Sequence, residues 1–139
     1  MKAFVIWTGV LSILAGTAFQ FPMLSAQLMP GAAPAMLPRV FGLMAIFLGV
    51  MLVFCARDLT HRGVLVAWEG VLRLAGGAVM AGFGILGDSG IAASVGGLSD
   101  FAIGVVYLWW LPRHLAVSLP DLLLDRNSRL STPNDRNAS

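Results

Sequence analysis

Apolar residues along this chain fall into four long runs, separated by short breaks that are polar or rich in proline. The runs cover about residues 3–20, 38–56, 63–86 and 92–112. Each is close to the ~20 residues a helix needs to cross ~30 Å of hydrocarbon, so the pattern predicts four membrane-spanning helices. The breaks differ in kind. Residues 21–37 contain Pro22, Pro30 and Pro34, with Pro38 at the edge, and no charge precedes Arg39. Residues 57–62 (Arg-Asp-Leu-Thr-His-Arg) predict a tight polar turn, and residues 87–91 (Gly-Asp-Ser-Gly-Ile) a glycine-rich one.

Within every run glycine recurs at an interval of seven residues. The third has Gly63, Gly70, Gly77 and Gly84. The first has Gly9 and Gly16, the second Gly42 and Gly49, and the fourth Gly97 and Gly104. Seven residues is close to two helical turns, so each set lies along one stripe. Lipid tails provide no hydrophobic drive for helices to associate, and close contact between small residues takes its place. Ser12, Ala45, Ala56, Ala67 and Ala81 extend the stripes at offsets of three or four. The stripes are expected to be contact seams within the chain, a homodimer seam being the alternative.

Composition agrees with the membrane reading. The chain of 139 residues is 58% hydrophobic and 12% charged, with mean hydropathy +0.83. Soluble domains carry about 25% charged residues, and a fold of this length has too little interior to hide so much apolar surface. The expected fold class is all-α, a four-helix transmembrane bundle over 1–115. A short cytoplasmic amphipathic segment and a tail follow over 116–139. Net charge is +2, and the basic residues are scattered between segments, which argues against a nucleic-acid partner. The lipid bilayer is the expected partner, with other membrane proteins or a second copy next. The single cysteine, Cys55, excludes an internal disulfide and any multi-cysteine metal site.

Charge sets the direction. Lys2, Arg57, Arg62, Arg113, Arg126, Arg129 and Arg136 fall on one side of the spans, and Arg39 on the other. The bias places both termini and the 57–62 turn in the cytoplasm, giving an N-in/C-in topology in a bacterial inner membrane. Trp7, Trp68, Trp109 and Trp110 sit near the same ends of their spans, as an interfacial belt would. Lys2, an apolar run and Gly16-Thr17-Ala18 also imitate a cleaved signal peptide. The first run is long for that role, and its removal would leave three spans, so it is expected to remain.

Three ionisable residues interrupt the apolar runs: Glu69, Arg73 and Asp100. A charge at bilayer depth is costly, so such residues are the first candidates for function. Glu69 and Arg73 are spaced i,i+4 with the acid first, the favourable order. Asp100 shares a helix face with Gly104 and Tyr107. If the third and fourth spans are antiparallel neighbours, Arg73 can reach Asp100. A buried salt bridge fixing helix pairing is one outcome. A polar site is the other: a proton relay, or a seat for a headgroup or small solute. The cluster sums formally to −1, so one carboxyl can hold a proton.

Other features add less. Cys55 reads as a packing residue, with acylation the alternative. His61 and His114 lie at the membrane surface and form no pair that could hold haem. The methionines at 23, 29, 36, 44 and 51 read as gap-fillers and not as copper ligands. No phosphate loop, ligand pair or nucleophile–base motif is present, and no cofactor is expected. Leu119–Leu124 predicts a short surface helix, with Ser118 as cap and Pro120 in its first turn, and 127–139 reads as disordered.

The run Arg39-Val-Phe-Gly-Leu, the Ala56-Arg57-Asp58 ending, the basic Arg73, and Asp100-Phe101 leading to Leu108-Trp109-Trp110-Leu111 resemble a group of small bacterial four-helix membrane proteins of unknown function. That group is broadly similar to DoxX-like proteins. The likeness covers about 39–112 and implies a four-helix inner-membrane bundle with no established activity. It points to Arg73 and Asp100 as the pair, and Glu69 lies outside its pattern. The function expected from these readings is a non-enzymatic accessory or interaction subunit. The alternatives are a small proton-coupled transporter using Glu69, Arg73 and Asp100, or a membrane redox or lipid-modifying enzyme.

Overall fold

The computed structural model describes residues 1–28, 36–86 and 90–126. Among these residues the chain forms helices only: α1 (Lys2–Ala18), α2 (Pro22–Leu28), α3 (Met36–Cys55), α4 (Leu59–Leu86), α5 (Gly90–Leu115) and α6 (Leu119–Leu123). Three segments are long and apolar enough to cross a membrane: Pro38–Cys55, Leu59–Leu86 and Ile91–Leu115. The apolar α1 is shorter, at 17 residues.

The breaks differ from expectation in three places. The proline-rich break contains a helix, α2, which Pro22 opens; proline is tolerated at a first helical position, where no N–H partner is needed. The polar turn is shorter than 57–62, because α4 begins at Leu59. Asp58 starts it: its carboxylate accepts the backbone N–H of His61 at 3.3 Å and faces the His61 ring at 2.9 Å. That backbone N–H holds the Asp58 carboxyl below the usual carboxylate range. Gly90 and Ile91 belong to α5, and the rest of the glycine-rich turn lies outside the described residues. So does the 127–139 tail.

The long helices pair as two antiparallel hairpins, α1 with α3 and α4 with α5, which touch each other far less than their own members do. The glycine stripes set both registers. In the first hairpin Gly9 stands opposite Gly49 and Gly16 opposite Gly42. In the second Gly77 stands opposite Gly97 and Gly70 opposite Gly104. A Cβ on Gly9 would lie 2.8 Å from the Gly49 carbonyl oxygen, and one on Gly77 2.6 Å from that of Gly97. Backbone cannot yield as a side chain can, so any larger residue must separate the helices. Gly63 meets the Leu115 and Leu122 side chains, and Gly84 meets Ser94. All four third-run glycines therefore face elements of their own chain.

The hairpins join at the end of the molecule where α3 turns into α4. Val5, Leu52, Val66, Tyr107 and Leu111 are fully buried there, and Phe4 meets the Tyr107 ring edge-on at 5.6 Å. α5 ends in a complete Schellman motif: the Val117 N–H reaches the Pro112 carbonyl at 3.0 Å and the Ala116 N–H that of Arg113 at 3.4 Å. Ala116 takes the left-handed conformation this requires, with φ 55°. The reversal returns α6 to the bundle. As expected, Ser118 caps it, accepting the Asp121 N–H, with proline in its first turn. Leu122 is buried, and the Trp68 indole donates to the Leu123 carbonyl at 3.2 Å. The segment after 115 thus forms part of the bundle's end.

Candidate functional site

A polar network lies between the two hairpins, built from one face of each of three helices. On α4, Glu69 and Arg73 are one turn apart, and Glu69 is the more deeply buried, with its side chain 2% exposed. It shares its face of α4 with Val66 and Gly70, both buried, so the carboxylate points inward. Arg73 Nε lies 2.9 Å from Glu69 Oε1, but its N–H is not aimed at that oxygen; the contact is an ion pair without hydrogen-bond geometry. The guanidinium then spreads its two remaining nitrogens. Nη1 donates to Asp100 Oδ1 on α5 at 2.5 Å, and Nη2 donates to Ser12 Oγ on α1 at 2.5 Å.

A second strand of the network runs beside it. Ser12 donates to the Thr8 carbonyl at 2.9 Å. The Thr8 hydroxyl meets the Tyr107 hydroxyl on α5 and donates to the Phe4 carbonyl at 3.0 Å, which leaves the Tyr107 O–H as donor to Thr8. Both hydroxyl residues satisfy their own helix and still offer an oxygen sideways. The hydroxyls convert α1 from an apolar rod into the polar partner of the second hairpin.

The residues expected to form a site are therefore placed as follows. Glu69, Arg73 and Asp100 come together. Tyr107 is buried in the same interface but bonds Thr8 and not the ion group. Gly63, Gly70, Gly77, Gly84, Gly97 and Gly104 set the packing and contribute no polar atom. Thr8 and Ser12 are members that the charge pattern did not single out. The sequence shows them only as two hydroxyls at i,i+4 in a mostly apolar helix that also carries Thr17, which does not reach across.

Two features decide what the network can do. The Glu69 Oε2 atom is buried without a hydrogen-bond partner, and the group carries two carboxylates for one guanidinium. The Asp100 side chain is 44% exposed, although it lies nine residues into α5 from Ile91, about 14 Å along the helix axis. The group can thus clamp helices, hold a proton on a carboxyl, or offer Asp100 to a donor approaching from outside. Among the described residues no three His, Cys, Asp or Glu side chains converge as metal ligands would. Comparison with family models, curated proteins and solved structures returned no match.

Proposed function

We propose that this chain is a four-span protein of the bacterial cytoplasmic membrane and acts, without chemistry of its own, as an accessory or interaction subunit. In this reading α1 is the fourth span, and both termini and the turn at residues 56–58 face the cytoplasm. The helix lengths, the exposed apolar side chains such as Phe47, Phe83 and Ile91, and the distribution of arginine support it. The DoxX-like resemblance of residues 39–112 fits the same architecture.

The observation that carries the interaction role is the exposure of Asp100. One carboxylate oxygen is engaged by Arg73, while the side chain stays open at a depth where hydrocarbon offers no hydrogen bond. A charged group facing lipid there costs at least ~2.5–3.5 kcal/mol. A partner helix that brings a donor or a cation removes this cost, which makes Asp100 a docking point. A photo-crosslinking residue at Ser99, on the exposed surface beside Asp100, tests this. It should give a protein adduct that Asp100→Leu abolishes, whereas the same probe at Ile85 on α4 should give none. A doubled chain mass would identify a second copy as the partner. Lipid adducts alone at both positions would refute the role.

A second reading has its own observation. The unpartnered Oε2 of Glu69, with Asp100 open to the outside, is an arrangement that a proton-coupled carrier could use. Proton flux into vesicles containing the chain, abolished by Asp100→Asn, would favour it over the interaction role.

A further inference from the structure

A second region, sharing no residue with the polar network, combines charge and apolar surface in the order found in a phospholipid. A cleft of about 360 Å³ lies between α3 and α4. Its walls are apolar: Phe47, Val50, Met51 and Phe54 from α3, and Leu65 from α4. It follows α3 from Phe47 to Phe54, a rise of about 10 Å, or roughly a third of the hydrocarbon thickness. At the shallow end the lining changes to Arg62. Arg57 does not line the cleft but stacks on one of its wall residues, with its guanidinium 5.1 Å from the centre of the Phe54 ring.

Arg62 makes one long hydrogen bond, 3.4 Å to the Phe54 carbonyl, and among the described residues neither arginine has a carboxylate within ion-pair distance. The nearby acid, Asp58, pairs with His61, and the Arg62 charge reaches it without a direct contact. Cys55 also borders the cleft but is closed off at 2% exposure.

We infer that this cleft is a binding site for an anionic phospholipid, with one acyl chain along α3 and the phosphate at Arg57 and Arg62. Charge complementarity selects the headgroup, since an anion satisfies both guanidiniums and a zwitterion places a cation against them. The apolar depth selects a lipid over a soluble phosphate. The site needs only that this end of the bundle lie at a membrane interface, and it does not depend on Asp100 or on the interaction role.

Native mass spectrometry of the full chain, released from detergent containing equal amounts of phosphatidylglycerol and phosphatidylcholine, tests the site. The chain should retain phosphatidylglycerol preferentially. Arg57→Gln and Arg62→Gln should each weaken that preference by about fivefold. Arg126→Gln, which removes a cation that does not line the cleft, should leave it unchanged. Val50→Trp, filling the wall while keeping both arginines, should reduce retention of either lipid, and glycerol phosphate should not compete. Equal retention of the two lipids, a preference that survives the double Arg57→Gln/Arg62→Gln change, no effect of Val50→Trp, or displacement by glycerol phosphate would each overturn the assignment. Helical content measured on every variant separates loss of binding from loss of fold, and Arg62→Lys, which keeps the charge, should retain the preference.

Discussion

Arg73 on α4 and Ser12 on α1 belong to different hairpins, and a 2.5 Å hydrogen bond from the guanidinium to the serine hydroxyl joins them. Within each hairpin the glycine stripes bring backbone against backbone. Between hairpins the close approach is much sparser, so the one arm of Arg73 that crosses to Ser12 carries weight there. Hydrogen bonds to charged groups contribute ~1.5–3 kcal/mol. Ser12→Ala should therefore lower unfolding stability in detergent by about 2 kcal/mol. Thr17→Ala, whose hydroxyl bonds only its own helix, should stay within about 0.5 kcal/mol of the parent. Equal effects would mean that the serine does not hold Arg73.

The glycine seam predicts a contrast on one helix. Gly77 packs against the α5 backbone, while a Cβ on Gly82 meets nothing within 4 Å. Gly77→Leu should cut the melting temperature in detergent sharply, and Gly82→Leu should change it little. Similar losses at both positions would remove the seam from the account.

Ala116 offers a gain. A non-glycine residue in the left-handed region costs roughly 1–2 kcal/mol, and glycine does not bear that cost. Ala116→Gly keeps the Schellman hydrogen bonds and should raise stability by about 1 kcal/mol in denaturant titration. A loss would show that the Ala116 methyl has a contact worth more than the strain.

Topology is tested in whole cells with a membrane-impermeant thiol reagent, in a Cys55→Ala background. A cysteine at Ser89 should react and one at Asn134 should be protected, because the basic residues cluster on the side of the tail. The reverse pattern would invert the orientation.

The contact seams were legible from the seven-residue glycine interval, because close helix contact in lipid depends on small residues at one helical period; which helix each seam faces was not. Arg73 and Asp100 were legible for a related reason: charges are rare in apolar runs, and one arginine can satisfy two acids. Thr8 and Ser12 were not picked out as partners. Hydroxyls in membrane helices usually satisfy their own backbone, as Thr17 does, and the sequence does not mark which of them also reach across. The helix at Pro22 was hidden by its own proline, which marks a helix start as readily as a loop. The exposure of Asp100 depends on how the two hairpins meet, and the periodicity of any single helix carries no information on that.

Arg73 neutralises two acids of the second hairpin, Glu69 and Asp100, and ties that hairpin to α1 through Ser12. Arg73 and Glu69 side chains are 10% and 2% exposed, and removing one member of a buried ion pair costs about 3–5 kcal/mol. Equilibrium unfolding in detergent should therefore show Arg73→Met to be strongly destabilised. Arg73→Met with Asp100→Leu should recover part of the loss, and adding Glu69→Leu most of the remainder, because the last uncompensated carboxylate is then gone. If Arg73→Met alone unfolds within about 0.5 kcal/mol of the parent, Arg73 holds neither the two acids nor α1.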